Sequence, residues 1–285
     1  VKSEIIEGST PNTKVININI IEKPTGEIAL GAGVGSDGAA VSFSVSENNF
    51  LGKGVKLSTA LNIGGDSISG NFSVNNPNFR YSGRALNTSI QTSNTDKLKT
   101  SGYETKKTGF SVGTSFEQYD NFYISPTFSA FHEEITTNSS ASKALRAQGG
   151  SALENNINYT LDYDLRDRGY QTRNGIRSKF TQGIPLVSED YALLNGYEIT
   201  KWHQFENKMI SKISFYGRAI TALSDGKDVK VSKRLRISPR RLRGFENGKV
   251  GPVDGKDYVG GNYASTLNLS TTLPMLFPSF ESVDF

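Results

Sequence analysis

Period-two alternation of apolar and hydrophilic residues runs through almost the whole chain, and it restricts the fold more than any other feature. Val41, Phe43 and Val45 alternate with Ser42, Ser44 and Ser46. Val55, Leu57, Thr59, Leu61 and Ile63 alternate with Lys56, Ser58, Ala60 and Asn62. Ile157, Tyr159, Leu161, Tyr163 and Leu165 alternate with Asn158, Thr160, Asp162, Asp164 and Arg166. Successive side chains of a strand point to opposite faces, so such runs build sheets with one apolar and one hydrophilic face. Helical periodicity is almost absent. The fold class is all-β.

A soluble sandwich produces the same alternation, with one face in the core and one in water. Run length separates the two cases. Several runs here hold the pattern for ten or more residues. Strands of globular proteins average about five or six residues, whereas a tilted membrane-crossing strand needs about ten. The pattern therefore predicts a transmembrane antiparallel β-barrel. Its averaged polarity is no obstacle, because only alternate residues of such a barrel face lipid. Aromatics at run ends (Phe50, Phe79, Tyr81, Tyr119, Phe122, Tyr170 and Tyr191) suit the interfacial girdles of a barrel.

About twelve strands are predicted, near 27–35, 39–48, 54–64, 66–76, 83–93, 105–117, 121–134, 152–165, 174–184, 191–205, 208–223 and 262–273. They follow one another as a meander of hairpins. Two connections, Thr136–Gly150 and Ser224–Gly261, are long and polar. The first 24 residues differ. Val15, Ile16, Ile18, Ile20 and Ile21 make a strand, and Pro24 and Gly26 punctuate a boundary after it. We read this segment as the last strand of a preceding domain followed by a linker.

Composition narrows the chemistry. The chain has 285 residues and no cysteine, which excludes disulfides, thiolate metal sites and cysteine nucleophiles. His132 and His203 lack ligand-like spacing, so no zinc site is expected. The net charge of +4 comes from 32 basic and 28 acidic residues and demands no nucleic-acid partner. Two motif matches are traps. Gly33, Gly35 and Gly38 satisfy G-x-G-x-x-G, but a strand follows instead of a helix. Gly109-Phe110-Ser111-Val112-Gly113 satisfies G-x-S-x-G inside an alternating run, where no strand-to-helix elbow forms. Neighbouring carboxylates such as Glu133 and Glu134 point to opposite faces. No enzyme and no cofactor are expected.

Several segments together resemble one family. Glu22-Lys23-Pro24-Thr25-Gly26, Gly31-Ala32-Gly33-Val34-Gly35 and Glu47-Asn48-Asn49-Phe50-Leu51-Gly52-Lys53-Gly54 are similar to the start of the barrel in the BamA family of outer-membrane protein assembly factors. Tyr163-Asp164-Leu165-Arg166-Asp167-Arg168-Gly169-Tyr170, with Asn174-Gly175, resembles a mid-barrel motif of that family. Leu242-Arg243-Gly244-Phe245, Gly251-Pro252 and Gly260-Gly261-Asn262 resemble its sixth extracellular loop and the strand after it. The resemblance implies a barrel of about sixteen strands with that loop after the eleventh, which matches the count here. It implies that residues 1–24 end a POTRA domain, and that 25–285 form a barrel incomplete at its carboxyl end. Glu281–Phe285 would then begin the thirteenth strand.

The implied function is assembly and insertion of β-barrel proteins into the bacterial outer membrane. The implied partners are unfolded outer-membrane protein precursors, periplasmic lipoproteins of an assembly complex, and outer-membrane lipid. Two sets of site residues follow from the resemblance. Arg243, Gly244 and Phe245 would turn the sixth loop into the lumen, with the Arg243 guanidinium forked onto a wall carboxylate. The family's usual acidic partner falls here on Ser270, and a second lies beyond Phe285. Lumen-side Asp162, Asp164 or Glu198 would stand in. The first barrel strand would be a weakly held lateral gate, through Ile28, Leu30, Gly31, Ala32, Gly33, Val34 and Gly35. Glycine weakens a strand, and an open edge offers backbone groups for β-augmentation. The rival readings are a polypeptide-translocating sister (TamA-like or a two-partner secretion transporter), a passive porin, and a soluble adhesin with long strands.

Overall fold

The computed structural model describes residues 2–272, except 11, 36–37, 99–101, 189–190, 225, 227, 247 and 256. The segment expected to begin a thirteenth strand lies outside the described residues. Eleven long strands follow one another from residue 26: β3 (Gly26–Gly35), β4 (Gly38–Phe50), β5 (Val55–Gly64), β6 (Ser67–Asn76), β7 (Ala85–Lys97), β8 (Tyr103–Tyr119), β9 (Phe122–Thr137), β10 (Gly150–Asp164), β11 (Gly175–Ser188), β12 (Ala192–Gln204) and β13 (Ile210–Ala222). A twelfth, β16 (Tyr263–Thr272), pairs with β13. All twelve form one antiparallel sheet in chain order, with β3 and β16 at its edges. Two short strands, β14 (Val253–Asp254) and β15 (Asp257–Tyr258), make a hairpin inside the connection 223–262. The helix α1 (Lys143–Arg146) lies in the connection 138–149.

One difference from the sequence reading stands at the amino end. Lys14–Asn19 is a strand, β2, but it pairs with an upstream strand, β1 (Lys2–Glu7). The adjacent Ile5 and Ile6 break the alternation of β1, which hid it. Among the described residues this two-stranded sheet shares no strand pairing with the large one.

The registers carry one face around the whole sheet. Leu30 lies opposite Phe43, Phe43 opposite Leu61, and Phe72 opposite Ile90. Ile90 faces Phe110, Val112 faces Phe128, Phe128 faces Ile157, and Leu161 faces Phe180. Ile199 then faces Phe215, and Phe215 faces Leu267. Many of these apolar side chains are exposed, including Leu30, Phe43, Ile90, Phe110 and Leu267. The other face carries Ser42, Ser44, Asn71, Gln91, Ser111 and Ser129, then the charged Asp162, Lys179 and Glu198. Its small polar groups bond to one another, as in Ser89–Ser111 at 2.8 Å and Asn158–Ser129 at 3.1 Å. A contiguous exposed apolar face of this extent is a surface for lipid, not water.

Strand direction places the connections 138–149 and 223–262 at the same end. The opposite end holds the connections 51–54, 77–84, 120–121, 165–174 and 205–209. That end also carries Phe50, Phe79, Tyr81, Tyr119, Phe122 and Tyr170. Most of the predicted girdle thus sits on one rim. The two sequence traps resolve as expected: Gly109–Gly113 lies within β8, and Gly33, Gly35 and Gly38 belong to the hairpin of β3 and β4.

Candidate functional site

Among the described residues the most buried apolar side chains, Val229 and Val231, belong to the connection 223–262 and not to a strand, and Val231 sits where the two long connections meet. Ala141 and Leu145 from 138–149 pack with Val231 and Val259 from 223–262, and Tyr103 closes the cluster. The Gln148 side chain accepts from the Val231 N–H at 2.6 Å, and Asp257 accepts from the Ser142 N–H at 3.2 Å. A backbone bridge between Leu235 and Gly261 folds the long loop onto its own exit. The polar turns at this end therefore form a packed cap.

From the cap, the loop reaches down the polar face and attaches by charge. Lys233 meets Glu154 at 2.7 Å, and Lys107 reaches the same carboxylate at 3.4 Å. The Glu154 side chain is only 5% exposed, so both cations sit against a nearly dry carboxylate. Ser232 donates to Glu133 at 3.4 Å. Deeper down, Arg241 binds Glu198 at 2.8 Å and stacks 3.6 Å from the Tyr216 ring centre. Glu198 and Tyr216 each occupy the midpoint of a thirteen-residue strand. The loop thus descends to about half the depth of the wall. A guanidinium suits this contact because it can hold a carboxylate with its edge and an aromatic ring with its face.

Arg243, Gly244 and Phe245 are exposed, and Arg243 has no partner among the described residues. Gly244 has a φ of +87°, a left-handed turn that favours glycine. Glu198, expected as a stand-in partner for Arg243, is held by Arg241 two residues upstream. Asp164 is held by Arg166 at 2.6 Å, and Asp162 by Arg177 at 2.5 Å. Ser270 lies opposite Lys212 in the β13–β16 register. Sequence reasoning missed Arg241, Tyr216 and the Glu154 pair. The available signal was an acidic residue at a polar-face position, shared by Glu133, Glu154 and Glu198.

The loop's outer rim is held by Asp228. It accepts from Asn262 at 3.3 Å and from its neighbour's Val229 N–H at 2.7 Å, and it pairs with Arg234. The Asn262 bond, then the Val229 N–H, then Arg234 hold its carboxyl below the usual range. A lowered carboxylate adds stability above its unfolded value of about 3.9 and loses it as pH falls through the folded value. The protection factors of the Val229 and Arg234 amides, corrected for the intrinsic pH dependence of exchange, should therefore stay constant from pH 7 to about 5 and fall only below about 4. Protection already lost near neutrality would contradict this anchoring.

The first strand lies at the sheet edge. Ile28, Leu30, Ala32 and Val34 are on the apolar face, with Ala29, Gly31, Gly33 and Gly35 on the other. A Cβ at Gly31 would meet the flexible Ser42 hydroxyl at 2.8 Å, while at Gly33 nothing lies within 4 Å. Crowding does not account for Gly33. Among the described residues no group of His, Cys, Asp and Glu could hold a metal. No helix of the described residues is long and apolar enough to cross a membrane; the crossing elements are strands.

These features define a transmembrane β-barrel wall with a long basic loop anchored against its inner face. The Omp85 superfamily domain model matches residues 49–285, and the chain belongs to that superfamily. It is 23% identical over 273 residues to the outer membrane protein assembly factor BamA of Neorickettsia risticii, covering 93% of this chain and 36% of that protein. It is 27% identical over 145 residues to the human sorting and assembly machinery component 50 homolog, covering 47% of this chain and 29% of that protein. The chain thus spans about a third of the length of these relatives. Its fold matches the crystal structure of BamA from Haemophilus ducreyi lacking POTRA domains 1–3, with a TM-score of 0.78 and 20% identity. That match covers 97% of this chain and 59% of the other. CdiB from Acinetobacter baumannii matches with a TM-score of 0.54 and 11% identity, over 97% of this chain and 52% of the other. The apolar face of the sheet is the outer-membrane lipid face, and the polar face is the lumen.

Proposed function

We propose that the full-length protein assembles and inserts β-barrel proteins into the outer membrane, using β3 as a template for incoming strands. The observation that carries the reading is the weakness of β3 itself. Four of its ten residues are glycines, and nothing lies within 4 Å of where a Cβ at Gly33 would sit. Glycine lowers the stability of a strand, so its pairing opens more easily to a client strand that adds by backbone hydrogen bonds. The names of the relatives, an assembly factor and a sorting and assembly component, point the same way. The chemistry is non-enzymatic. The free energy comes from the client, which buries its lipid-facing side chains and closes its own backbone hydrogen bonds. The clients are unfolded outer-membrane protein precursors, with periplasmic lipoproteins as accessory subunits. On this reading residues 1–24 end a POTRA domain, which is supported by the separate β1–β2 sheet. The end carrying the cap is extracellular.

The loop serves this function by bracing the lumen wall at β10, β12 and β13. We assign Arg241 the contact to Glu198 and Tyr216, and Arg243 a contact beyond the described residues. The test is insertion of an unfolded barrel precursor into proteoliposomes of full-length protein. Wild type should insert it, and Arg243→Ala should slow insertion by about tenfold, the weight of one charge-assisted hydrogen bond. Ion conductance without insertion by the wild-type protein would identify a passive pore instead.

A further inference from the structure

We propose that a notch on the lipid face over β11, β12, β13 and β16 binds one acyl lipid, holding its chain and the carbonyl of its ester or amide linkage. The notch has a volume of about 480 Å³. Phe180, Tyr197 and Tyr263 wall it, and Gly217, Ala219 and Ser265 leave its floor low. Its place on the lipid face follows from the pairing of Phe180 with Tyr197, Asn195 with Ala219, and Ala219 with Tyr263. Tyr263 shares the face of Phe180 and Tyr197 in these registers, so the wall stands toward the bilayer.

A polar chain leads into this apolar depression. The Tyr159 hydroxyl donates to Gln182 at 2.9 Å, and the Gln182 amide donates to the Asn195 carbonyl at 2.7 Å. Each link consumes an acceptor. The chain ends on the Asn195 side-chain N–H groups, for which no described residue is an acceptor. An amide donor facing hydrocarbon without an acceptor is costly. The acceptors a bilayer offers at such a site are the carbonyls of its acyl linkages. Depth agrees. Asn195 is the fourth residue from the capped end of β12. At a tilt of about 45° it lies about 7 Å below the strand end. Acyl linkages sit at the border of headgroups and hydrocarbon, which is the same zone. A protein strand would need an edge to pair with, and β11, β12 and β13 are paired on both sides. A lipid needs only the notch and the donor.

The linkage chemistry is shared by glycerophospholipids and by acylated glucosamine lipids. The experiment uses full-length protein in nanodiscs of glycerophospholipid alone, or with an acylated glucosamine lipid added. Native mass spectrometry after release counts the lipids that stay bound. The wild-type protein should retain one acyl lipid, and its mass names the source. Ala219→Phe fills the floor, and Asn195→Leu combined with Gln182→Leu and Tyr159→Phe removes the donor together with the two groups bonded in series behind it. Each should lower retention by about fivefold, the weight of one neutral hydrogen bond or of the contact area lost. Equal retention by wild type and both variants, or no retained lipid in either nanodisc, would overturn the proposal. So would a photo-crosslinker at position 219 that captures a polypeptide. The readout is lipid mass, so the proposal stands or falls separately from assembly activity.

Discussion

Glu154→Ala should detach the basic arm of the long loop and lower the stability of the barrel wall by about 3 kcal/mol. The Glu154 carboxylate is 5% exposed and holds Lys233 at 2.7 Å and Lys107 at 3.4 Å. Removing it leaves the poorly solvated Lys233 without this carboxylate and beside a second, more exposed cation, Lys107. Breaking one partner of a buried pair costs far more than the pair contributes net, because the remaining charge is stranded. The Lys233 side chain is 17% exposed and cannot easily find water in place. Trypsin should therefore cut at Lys230, Lys233 and Arg234 in the variant and not in wild type. Glu154→Leu combined with Lys233→Met should recover much of the protection, since an apolar pair strands only Lys107. Wild-type resistance in Glu154→Ala would sink the anchoring role of this carboxylate.

Gly102→Val is the second large effect. Gly102 has a φ of +75°, and a Cβ there would lie 2.3 Å from the Ala141 nitrogen and 2.7 Å from its Cα. Those are backbone atoms, so no side chain can swing aside. Gly102 also accepts from the Asn138 N–H at 2.8 Å, tying the β7–β8 turn to the loop that carries α1. A β-branched residue in the left-handed region and the forced shift of Ala141 together cost about 3 kcal/mol. The expected result is a cap that exchanges amide hydrogens rapidly at Ala141, Leu145 and Val231, with strands β3–β6 unaffected. Uniform protection across the cap would contradict the close approach.

The sheet was legible because lipid and lumen demand opposite residues at every step. The predicted span 105–117 became Tyr103–Tyr119, and 121–134 became Phe122–Thr137. The errors fall at the capped end or at turns, where loop packing extends a strand past its alternating part. The cap itself was not legible. Val231 and Val259 are separated by a loop with no periodicity, and Ala141 and Leu145 come from a different connection. The lumenal contact was half legible. The motif Leu242–Phe245 located the loop, and Glu198 was named as a partner, but the arginine that reaches it is Arg241. Register along an irregular loop is set by where its ends are tied. Those ties are the Leu235–Gly261 bridge and the Lys233–Glu154 pair, which span 26 and 79 residues of sequence. No local pattern encodes them.

Cysteine crosslinking decides whether β3 receives client strands. The chain contains no cysteine of its own. Single cysteines at Leu30, Gly31, Ala32 and Gly33 of full-length protein would be paired with a cysteine walk along the terminal strand of an arrested barrel precursor. Disulfides should form in one register, with each β3 position meeting a single client position and neighbouring pairs shifting in opposite directions along the two strands. Absence of any adduct along β3, while the same client crosslinks to cysteines at lumen positions such as Ser42 or Asn71, would contradict it.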